Sequence, residues 1–203
     1  MMKNDRLILV IILVFVIFFG LMMRDVDLPE MKVVKQMDGE TKIGVVSDTH
    51  IPTRAEAIPE QVLDRFREEE VGLIIHAGDM VTMEVKNSLE EIAPVVAVAG
   101  NMDRTEVRNH YPEAAVLEAG GKRIGVIHNT VNPLSDKMKL LAEENRLDLL
   151  VFGHTHRQQL EEKDGIYYLN PGSPSQPIMS EAGFALIEVK ESGLEPKLIK
   201  IEK

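Results

Sequence analysis

The chain contains no cysteine, and it lacks any excess of positive charge. Without cysteine there are no disulfides, no thiolate metal sites, no cysteine nucleophiles and no lipid-modified N-terminal cysteine. Any metal site must therefore use His, Asp, Glu or Asn. The formal net charge of −10 argues against a broad surface for nucleic-acid phosphates, so no specific nucleic-acid partner is expected. Internal repeats and low-complexity tracts are also absent, and the 203 residues are enough for one domain with a sizeable core.

One long apolar run, LILVIILVFVIFFGLMM at residues 7–23, has no polar face. As a helix it would be roughly 26 Å long at about 1.5 Å per residue, slightly short of the roughly 30 Å hydrocarbon core of a bilayer. It predicts an N-terminal transmembrane helix that anchors the protein in a membrane as a single-pass protein. A cleaved signal peptide is the alternative, although no small-x-small cleavage site follows the run. The predicted division is an anchor and charged tether at residues 1–40 and a second domain at 41–203.

From Thr41 onward, short apolar strands alternate with amphipathic helices. Strands are predicted at residues 42–46, 72–76 and 94–99, and helices at 59–69 and 82–92. Such alternation is typical of an α/β fold with a parallel sheet covered by helices. The second half adds strands at 115–118, 122–127 and 147–152, a helix at 134–145, and hairpins around Asp164-Gly165 and Ser192-Gly193. Parallel strands followed by hairpins predict two packed sheets.

Side chains able to bind metals follow five of these apolar strands. They are Asp48 and His50, Asp79, Asn101, His128, and His154 with His156. Ligands bind at the carboxyl ends of strands in open α/β sheets, and residues i and i+2 of an extended segment point the same way. The alternative is a set of turn residues and solvated histidines, but their joint occurrence at five strand ends favours a metal centre.

Seven ligands exceed what one ion with open positions needs. They fit two ions that share a bridging carboxylate and lie roughly 3.5–4 Å apart. A mixed set of histidines and carboxylates suits Mn²⁺, Ni²⁺, Fe²⁺ or Zn²⁺ better than Mg²⁺ or Ca²⁺, and we expect two divalent cations, with Mn²⁺ as the first candidate. Two such ions would lower the pKa of a bridging water, whose hydroxide would attack phosphorus in line.

These motifs resemble those of a known family. Asp48-x-His50, Gly78-Asp79, Gly100-Asn101-Met102-Asp103, His128 and Gly153-His154-Thr155-His156 are similar to the five motifs of calcineurin-like metallophosphoesterases. The match is best with the small single-domain phosphodiesterase branch, which also contains the retromer subunit of the same fold. The resemblance covers Lys42 to the C-terminus and implies a four-layer α-β-β-α sandwich of two mixed β-sheets.

The resemblance also implies roles for single residues. Asp48, His50 and His156 would hold the first metal ion, Asp79 would bridge, and Asn101, His128 and His154 would hold the second. Asn101 would also lie near a substrate oxygen. The catalytic set would comprise Asp79, Asn101, Asp103 and His128.

The sequence departs from the family pattern at two positions. Many members have a histidine directly after the asparagine, as proton donor to the leaving group, whereas this chain has Met102. General acid catalysis commonly contributes about 10²–10⁴-fold, so its lack favours diesters or activated esters. Asn129 stands where relatives usually have glycine, after His128. Asn170 and Ser173, in Asn-Pro-Gly-Ser, match a further element of the branch and are expected to shape a turn beside the metals.

Four further residues are weaker candidates. Asp103 would either orient Asn101 or a substrate-side water, or cap its loop. Arg104 would either bind a phosphate oxygen of the substrate, since guanidinium suits that geometry, or form a surface ion pair. His76 is expected to be structural rather than a ligand, and His110 to be solvated.

Together these features predict a membrane-anchored phosphodiesterase that acts on a small phosphoester substrate through two metal ions. Two alternatives stay open. A phosphomonoesterase would use the same site, and a non-catalytic protein-binding scaffold would use the same fold, since fold alone does not establish activity.

Overall fold

The computed structural model describes residues 28–128, 135–175, 177 and 180–202, which build eleven strands and four helices. The strands are β1 (Lys32–Met37), β2 (Thr41–Val46), β3 (Leu73–His76), β4 (Val95–Ala97), β5 (Ala114–Ala119), β6 (Lys122–Ile127), β7 (Leu149–Phe152), β8 (Gln158–Lys163), β9 (Ile166–Pro171), β10 (Gly183–Lys190) and β11 (Gly193–Lys200). The helices are α1 (Glu60–Glu68), α2 (Met83–Glu90), α3 (Thr105–His110) and α4 (Asp136–Glu144).

The strands form two mixed sheets. The large sheet has the order β1-β5-β6-β7-β9-β8, and the small sheet has the order β11-β10-β2-β3-β4. Parallel strands lie together in each sheet, β6-β7-β9 in the large one and β2-β3-β4 in the small one. The two predicted hairpins are confirmed as the antiparallel pairs β8-β9 and β10-β11.

Alternating side chains of the strands make the layers. Ile43 and Val45 of β2 and Val151 of β7 belong to one buried cluster between the sheets, because successive strand residues point to opposite faces. The outer face of the small sheet is covered by Phe66 of α1, and Met138 of α4 covers the outer face of the large sheet. The two mixed sheets between helices agree with the expected sandwich.

Two helix starts show why the chain turns helical at these points. α4 begins after Ser135, whose hydroxyl accepts a hydrogen bond from the backbone N–H of Met138, as an N-cap should. α1 follows Pro59 and has Glu60 in its first turn and Arg67 in its last, which complements the helix dipole. The observed bounds lie within two residues of those predicted from the sequence.

Strand β1 lies inside the stretch predicted as a charged tether. It pairs in parallel with β5, with Lys32 opposite Ala115. Leu28 and Met31, just before it, pack against the outer core of the large sheet. These contacts tie residues 28–37 to the large sheet, although the mixture of charged and apolar residues there resembles a linker.

The prediction of a transmembrane helix needs correction. No helix within residues 28–128, 135–175, 177 and 180–202 is long and apolar enough to cross a membrane. The prediction is corrected accordingly: the described residues contain no membrane-spanning helix, and they give no support to the membrane localisation and membrane partner that rested on it. The longest helices here, α1 and α4, have nine residues each, whereas a span needs about 20. The apolar run at residues 7–23 lies outside the described residues.

Candidate metal centre

The predicted ligands come together at one end of the sandwich. Asp48, Asp79 and Asn101 follow the neighbouring strands β2, β3 and β4 of the small sheet, while His128 and His154 follow β6 and β7 of the large sheet. The five strand ends therefore belong to two facing sheets. Both sheets deliver the carboxyl ends of parallel strands to this place, where ligands bind in open α/β folds.

The seven side chains form one continuous line of close contacts. His156 Nε2 lies 3.3 Å from Asp48 Oδ1, Asp48 Oδ1 lies 3.8 Å from His50 Nε2, and His50 Nε2 lies 3.6 Å from Asp79 Oδ2. The line continues from Asp79 Oδ2 to His128 Nε2 at 3.3 Å, from His128 Nε2 to Asn101 Oδ1 at 3.2 Å, and from Asn101 Oδ1 to His154 Nδ1 at 3.0 Å.

Asp79 stands in the middle of this line. Its Oδ2 faces His50 on one side and His128 on the other, while its Oδ1 accepts a hydrogen bond from the Met102 backbone N–H at 2.7 Å. Two compact sets of potential ligands result, Asp48 with His50 and His156, and Asp48 with Asp79 and His128, each with donor atoms within 4.8 Å of one another.

We call Asp48, His50 and His156 the deep half of the centre. All three are buried, with 0%, 1% and 4% of their surface exposed. Asp48 Oδ2 accepts hydrogen bonds from Ser47 Oγ and from the His154 backbone N–H, at 2.7 and 3.0 Å. Asp48 Oδ1 is buried and has no hydrogen-bond partner among the described residues.

An unpartnered buried carboxylate oxygen is costly, and this one lies beside two imidazole nitrogens, so the residues present fit a cation. Burial raises the pKa of the Asp48 carboxyl. Burial also lowers the pKa of His50 to about 4, which keeps its imidazole in the neutral form that binds metals.

We call His128, Asn101 and His154 the open half. His128 Nδ1 lies 2.8 Å from the Ala77 carbonyl oxygen, and a hydrogen bond donated there leaves the Nε2 lone pair directed at Asp79 and Asn101. A backbone carbonyl commonly orients a metal-binding histidine in this way. His128 is buried, but Asn101 is exposed and His154 is half-buried, so this half reaches solvent.

The electrostatics of Asp79 and His128 indicate a place for positive charge. Burial disfavours the ionised form of Asp79, but the hydrogen bond and charge of His128 outweigh it and hold the pKa of Asp79 below its usual value. Burial likewise disfavours the charged form of His128, yet Asp79 and Asp48 raise its pKa. Both shifts report attraction between carboxylate and cation, which a divalent ion would satisfy more strongly than a proton.

The backbone around these ligands is in an uncommon conformation. Positive φ angles occur at Asp48 (54°), His50 (50°), Asp79 (59°), His154 (70°) and His156 (57°). Asp and His adopt this left-handed region more readily than most residues, but each such residue still costs free energy, and strain of this kind clusters at functional sites.

Asp103 holds the backbone of two ligand loops. Its carboxylate is buried and accepts hydrogen bonds from the N–H groups of Gly100, Val81 and Asp79, at 2.6, 2.6 and 3.2 Å. Burial raises the pKa of Asp103, against the effect of these bonds. Of the two predicted roles, these contacts favour that of holding the loop.

Two glycines leave room for the ligands. A Cβ added at Gly100 would lie 2.2 Å from Asp79 Oδ1 and 2.3 Å from Asp79 N. One added at Gly153 would lie 2.1 Å from Ser47 Oγ and 2.7 Å from the Ala77 carbonyl oxygen. Both contacts are far below van der Waals distance, so the close packing of the ligand loops requires glycine here.

The weaker candidates lie at the edges of the site. Arg104 is exposed, and its side chain pairs with no carboxylate of the described residues. His76 is buried outside the line of ligands, with Nε2 at 3.1 Å from Thr49 Oγ1. His110 is exposed and packs edge-on against Tyr111.

The end of β9 and the loop after it hold the backbones of two ligand segments, at Gly153 and at Asp48. Asn170 donates through Nδ2 to the Gly153 carbonyl oxygen at 2.9 Å and accepts the Gly172 N–H at 2.8 Å. Ser173 donates to the Asp48 carbonyl oxygen at 2.8 Å. Sequence reasoning missed Ser47, and a hydroxyl following the apolar strand β2 and adjoining a predicted ligand is the signal that was available.

Comparisons with known proteins also indicate a metal-dependent phosphoesterase. The family model of the calcineurin-like phosphoesterase superfamily domain matches residues 41–192. A "Probable metallophosphoesterase" of Methanothermobacter thermautotrophicus is 40% identical over 164 residues, which are 78% of this chain and 91% of the relative.

Two solved structures share the fold. A conserved uncharacterized protein of Streptococcus pneumoniae TIGR4, a predicted phosphoesterase, has a TM-score of 0.65 at 29% identity, covering 80% of this chain and 90% of that one. Wild-type Vps29 of Entamoeba histolytica, in complex with Zn²⁺, has a TM-score of 0.65 at 26% identity, covering 78% of this chain and 98% of that one.

Proposed function

Because the chain belongs to the calcineurin-like phosphoesterase superfamily, we propose that it is a metal-dependent phosphoester hydrolase that uses two divalent cations and favours phosphodiesters. The observation that carries this proposal is the position of Asp79 Oδ2, 3.6 Å from His50 Nε2 and 3.3 Å from His128 Nε2. A single carboxylate between two imidazoles is the arrangement that a bridging ligand requires.

Asp48, His50 and His156 would hold one cation, and His128, Asn101 and His154 the other, with Asp79 shared between them. The bound cations would supply Lewis-acid stabilisation of the phosphoryl oxygens and would lower the pKa of an attacking water. The protein's contribution is to hold these ligands rigidly before substrate arrives, which the hydrogen bonds to their backbones favour.

The substrate would approach from the open half, where Asn101 and His154 reach solvent. Met102 is 48% exposed beside Asn101 and offers no proton to a leaving group. A poor alkoxide leaving group would therefore depart slowly, whereas a diester with a better leaving group would not need that proton. Arg104, exposed just before α3, would contact a phosphate oxygen.

The mixed His and carboxylate set suits Mn²⁺, Fe²⁺, Ni²⁺ or Zn²⁺, and Mn²⁺ is our first choice. The Zn²⁺ complex of the Vps29 neighbour supports binding of a transition-type divalent ion by this fold. Metal analysis of the protein by inductively coupled plasma mass spectrometry would identify the ion and count it.

The test is hydrolysis of bis(4-nitrophenyl) phosphate and 4-nitrophenyl phosphate by the full-length protein, stripped with EDTA and reloaded with Mn²⁺. We expect the diester to be cleaved faster, and His128→Ala to lower the rate at least about a hundredfold. His110→Ala, at an exposed histidine outside the centre, is the matched control and should change it less than about twofold. Cleavage that persists without metal would contradict the mechanism, and a faster monoester would favour the phosphomonoesterase alternative.

A non-catalytic protein-binding scaffold is the second candidate, because sharing a fold, as with Vps29 over 98% of that chain, does not by itself establish activity. Binding of two ions without cleavage of either ester would favour it.

A further inference from the structure

The segment Asp48-Thr49-His50 carries two ligands of the deep half on strained backbone. Asp48 and His50 both have positive φ, and Thr49 between them is fully buried. Backbone bonds fix their amides, since Asp48 N–H donates to the Gly78 carbonyl and His50 N–H to the Asp79 carbonyl, both at 3.0 Å. A left-handed residue on each side of Thr49 needs further restraint to persist.

Two serines of the loop that follows β9 supply that restraint. Ser173 Oγ donates to the Asp48 carbonyl oxygen at 2.8 Å, and Ser175 Oγ donates to the Thr49 carbonyl oxygen at 2.7 Å. Both peptide carbonyls between the two ligands thus receive a hydroxyl. Because those carbonyls set the orientation of the peptide planes, the serines fix the directions in which Asp48 and His50 project.

His76 holds the side chain of the same threonine. It lies at the end of β3, fully buried, with Nε2 at 3.1 Å from Thr49 Oγ1. Its other ring nitrogen, Nδ1, has no hydrogen-bond partner among the described residues. Burial lowers the pKa of His76 to about 3, so the ring is neutral. A half-satisfied polar ring in the core is unfavourable for stability alone, so the Thr49 contact is the observation that gives this histidine a role.

We propose that His76, Thr49, Ser173 and Ser175, which we call the Thr49 clamp, are positioning residues that set the affinity of the deep half for its metal ion. The inference rests on the proposed dinuclear centre. The open half is held by other contacts, since the Asp103 carboxylate accepts the Gly100 N–H of the Asn101 loop and the Ala77 carbonyl oxygen orients His128. The clamp should therefore act on one ion and spare the other.

The test is calorimetric titration of the EDTA-stripped full-length protein with Mn²⁺ alone and, in parallel, with Zn²⁺ alone. Thr49→Val removes the hydroxyl at nearly constant volume. We expect one of two binding events to weaken about 10- to 100-fold, as is typical when an outer partner of a metal ligand is lost. The same event should disappear in His156→Ala. Thr49→Ser should restore it, and Thr41→Val, the same change at the far end of β2, should leave both events unchanged.

Melting temperatures of the metal-free variants separate positioning from stability. Thr49→Val leaves His76 without its partner and should melt earlier. The double variant His76→Leu/Thr49→Val removes both partners and should recover part of that loss, while metal binding stays weak. Equal weakening of both events, or normal metal affinity in the double variant, would overturn the clamp and leave the proposed function intact. A wild-type protein that binds neither ion would overturn both.

Discussion

The deep and open halves of the candidate centre differ in their access to solvent. Asp48, His50 and His156 are almost entirely buried, whereas Asn101 is exposed and His154 is half-buried. Charges interact more strongly where water is excluded, so an ion in the deep half would be held tightly. An ion in the open half would be accessible to a substrate. The deep half is therefore suited to retaining its ion, and the open half to exchanging ligands.

Asp79 belongs to both halves, so its loss should affect both ions. Asp79→Asn removes the shared charge at nearly constant shape, and we expect both ions to be lost or weakened together. The rate with bis(4-nitrophenyl) phosphate should fall at least about a thousandfold, equivalent to about 4 kcal/mol of transition-state stabilisation. The measurement is initial rate together with metal content. Asp64→Asn, at an exposed carboxylate that pairs with Arg67, is the control, and a similar loss there would contradict the assignment.

Two histidines from the same loop, His154 and His156, belong to different halves. His156→Ala should lose one bound ion and about 10²–10³-fold in rate, because it removes a buried ligand. His154→Ala should keep the deep-half ion and weaken the open-half ion, with a loss of about 10–100-fold in rate, because His154 is an open-half ligand on the solvent side beside Asn101. Metal content per chain is the decisive measurement. Retention of both ions in His156→Ala, together with loss of both from His154→Ala, would reverse the roles of the halves.

The third prediction concerns the space between the halves. Gly100→Ala would place a methyl group 2.2 Å from Asp79 Oδ1, so Asp79 or the loop must move. We expect about a hundredfold loss of activity, since displacement of about 1 Å can have that effect, and a lower melting temperature. Gly121→Ala is the control, because its Cβ would meet nothing within 4 Å. Because Gly121 has a positive φ of 75°, Gly121→Ala should also be somewhat less stable. The activity of this variant should be unchanged.

The candidate ligands were easier to find in the sequence than the side chains that hold them in place. Apolar strands ending in Asp, Asn or His are visible without coordinates, because burial and strand ends leave a strong pattern. The contacts of Asp103, Ser47 and Thr49 depend on backbone groups brought close by the fold. Contacts of this kind produce no regular spacing in the sequence. A serine or threonine whose hydroxyl is buried looks the same there as any other serine or threonine in a loop.

The fold was predictable where the chain is apolar and less so at its edges. Residues 122–127 form β6 as predicted. Strand β1 lies instead within the predicted tether, because an edge strand exposes polar side chains and even its Val33 is 48% exposed. α3 was not predicted, since a helix of six residues is too short to show a periodic pattern. Strand ends alone could not distinguish one sheet edge from two facing sheets.

Arg104 lies outside both halves, and its replacement should have only a modest effect. Its guanidinium is exposed and makes no ion pair among the described residues, so Arg104→Ala should leave stability unchanged. If it contacts a phosphate oxygen, KM for the diester should rise about 3- to 10-fold with kcat nearly constant, because uniform binding of substrate and transition state would be lost. Arg108→Ala, at an exposed arginine near the other end of α3, separates contact from general charge. An equal rise in KM for both variants would mean that the summed positive charge of the two arginines attracts the substrate, and that Arg104 makes no specific contact with it.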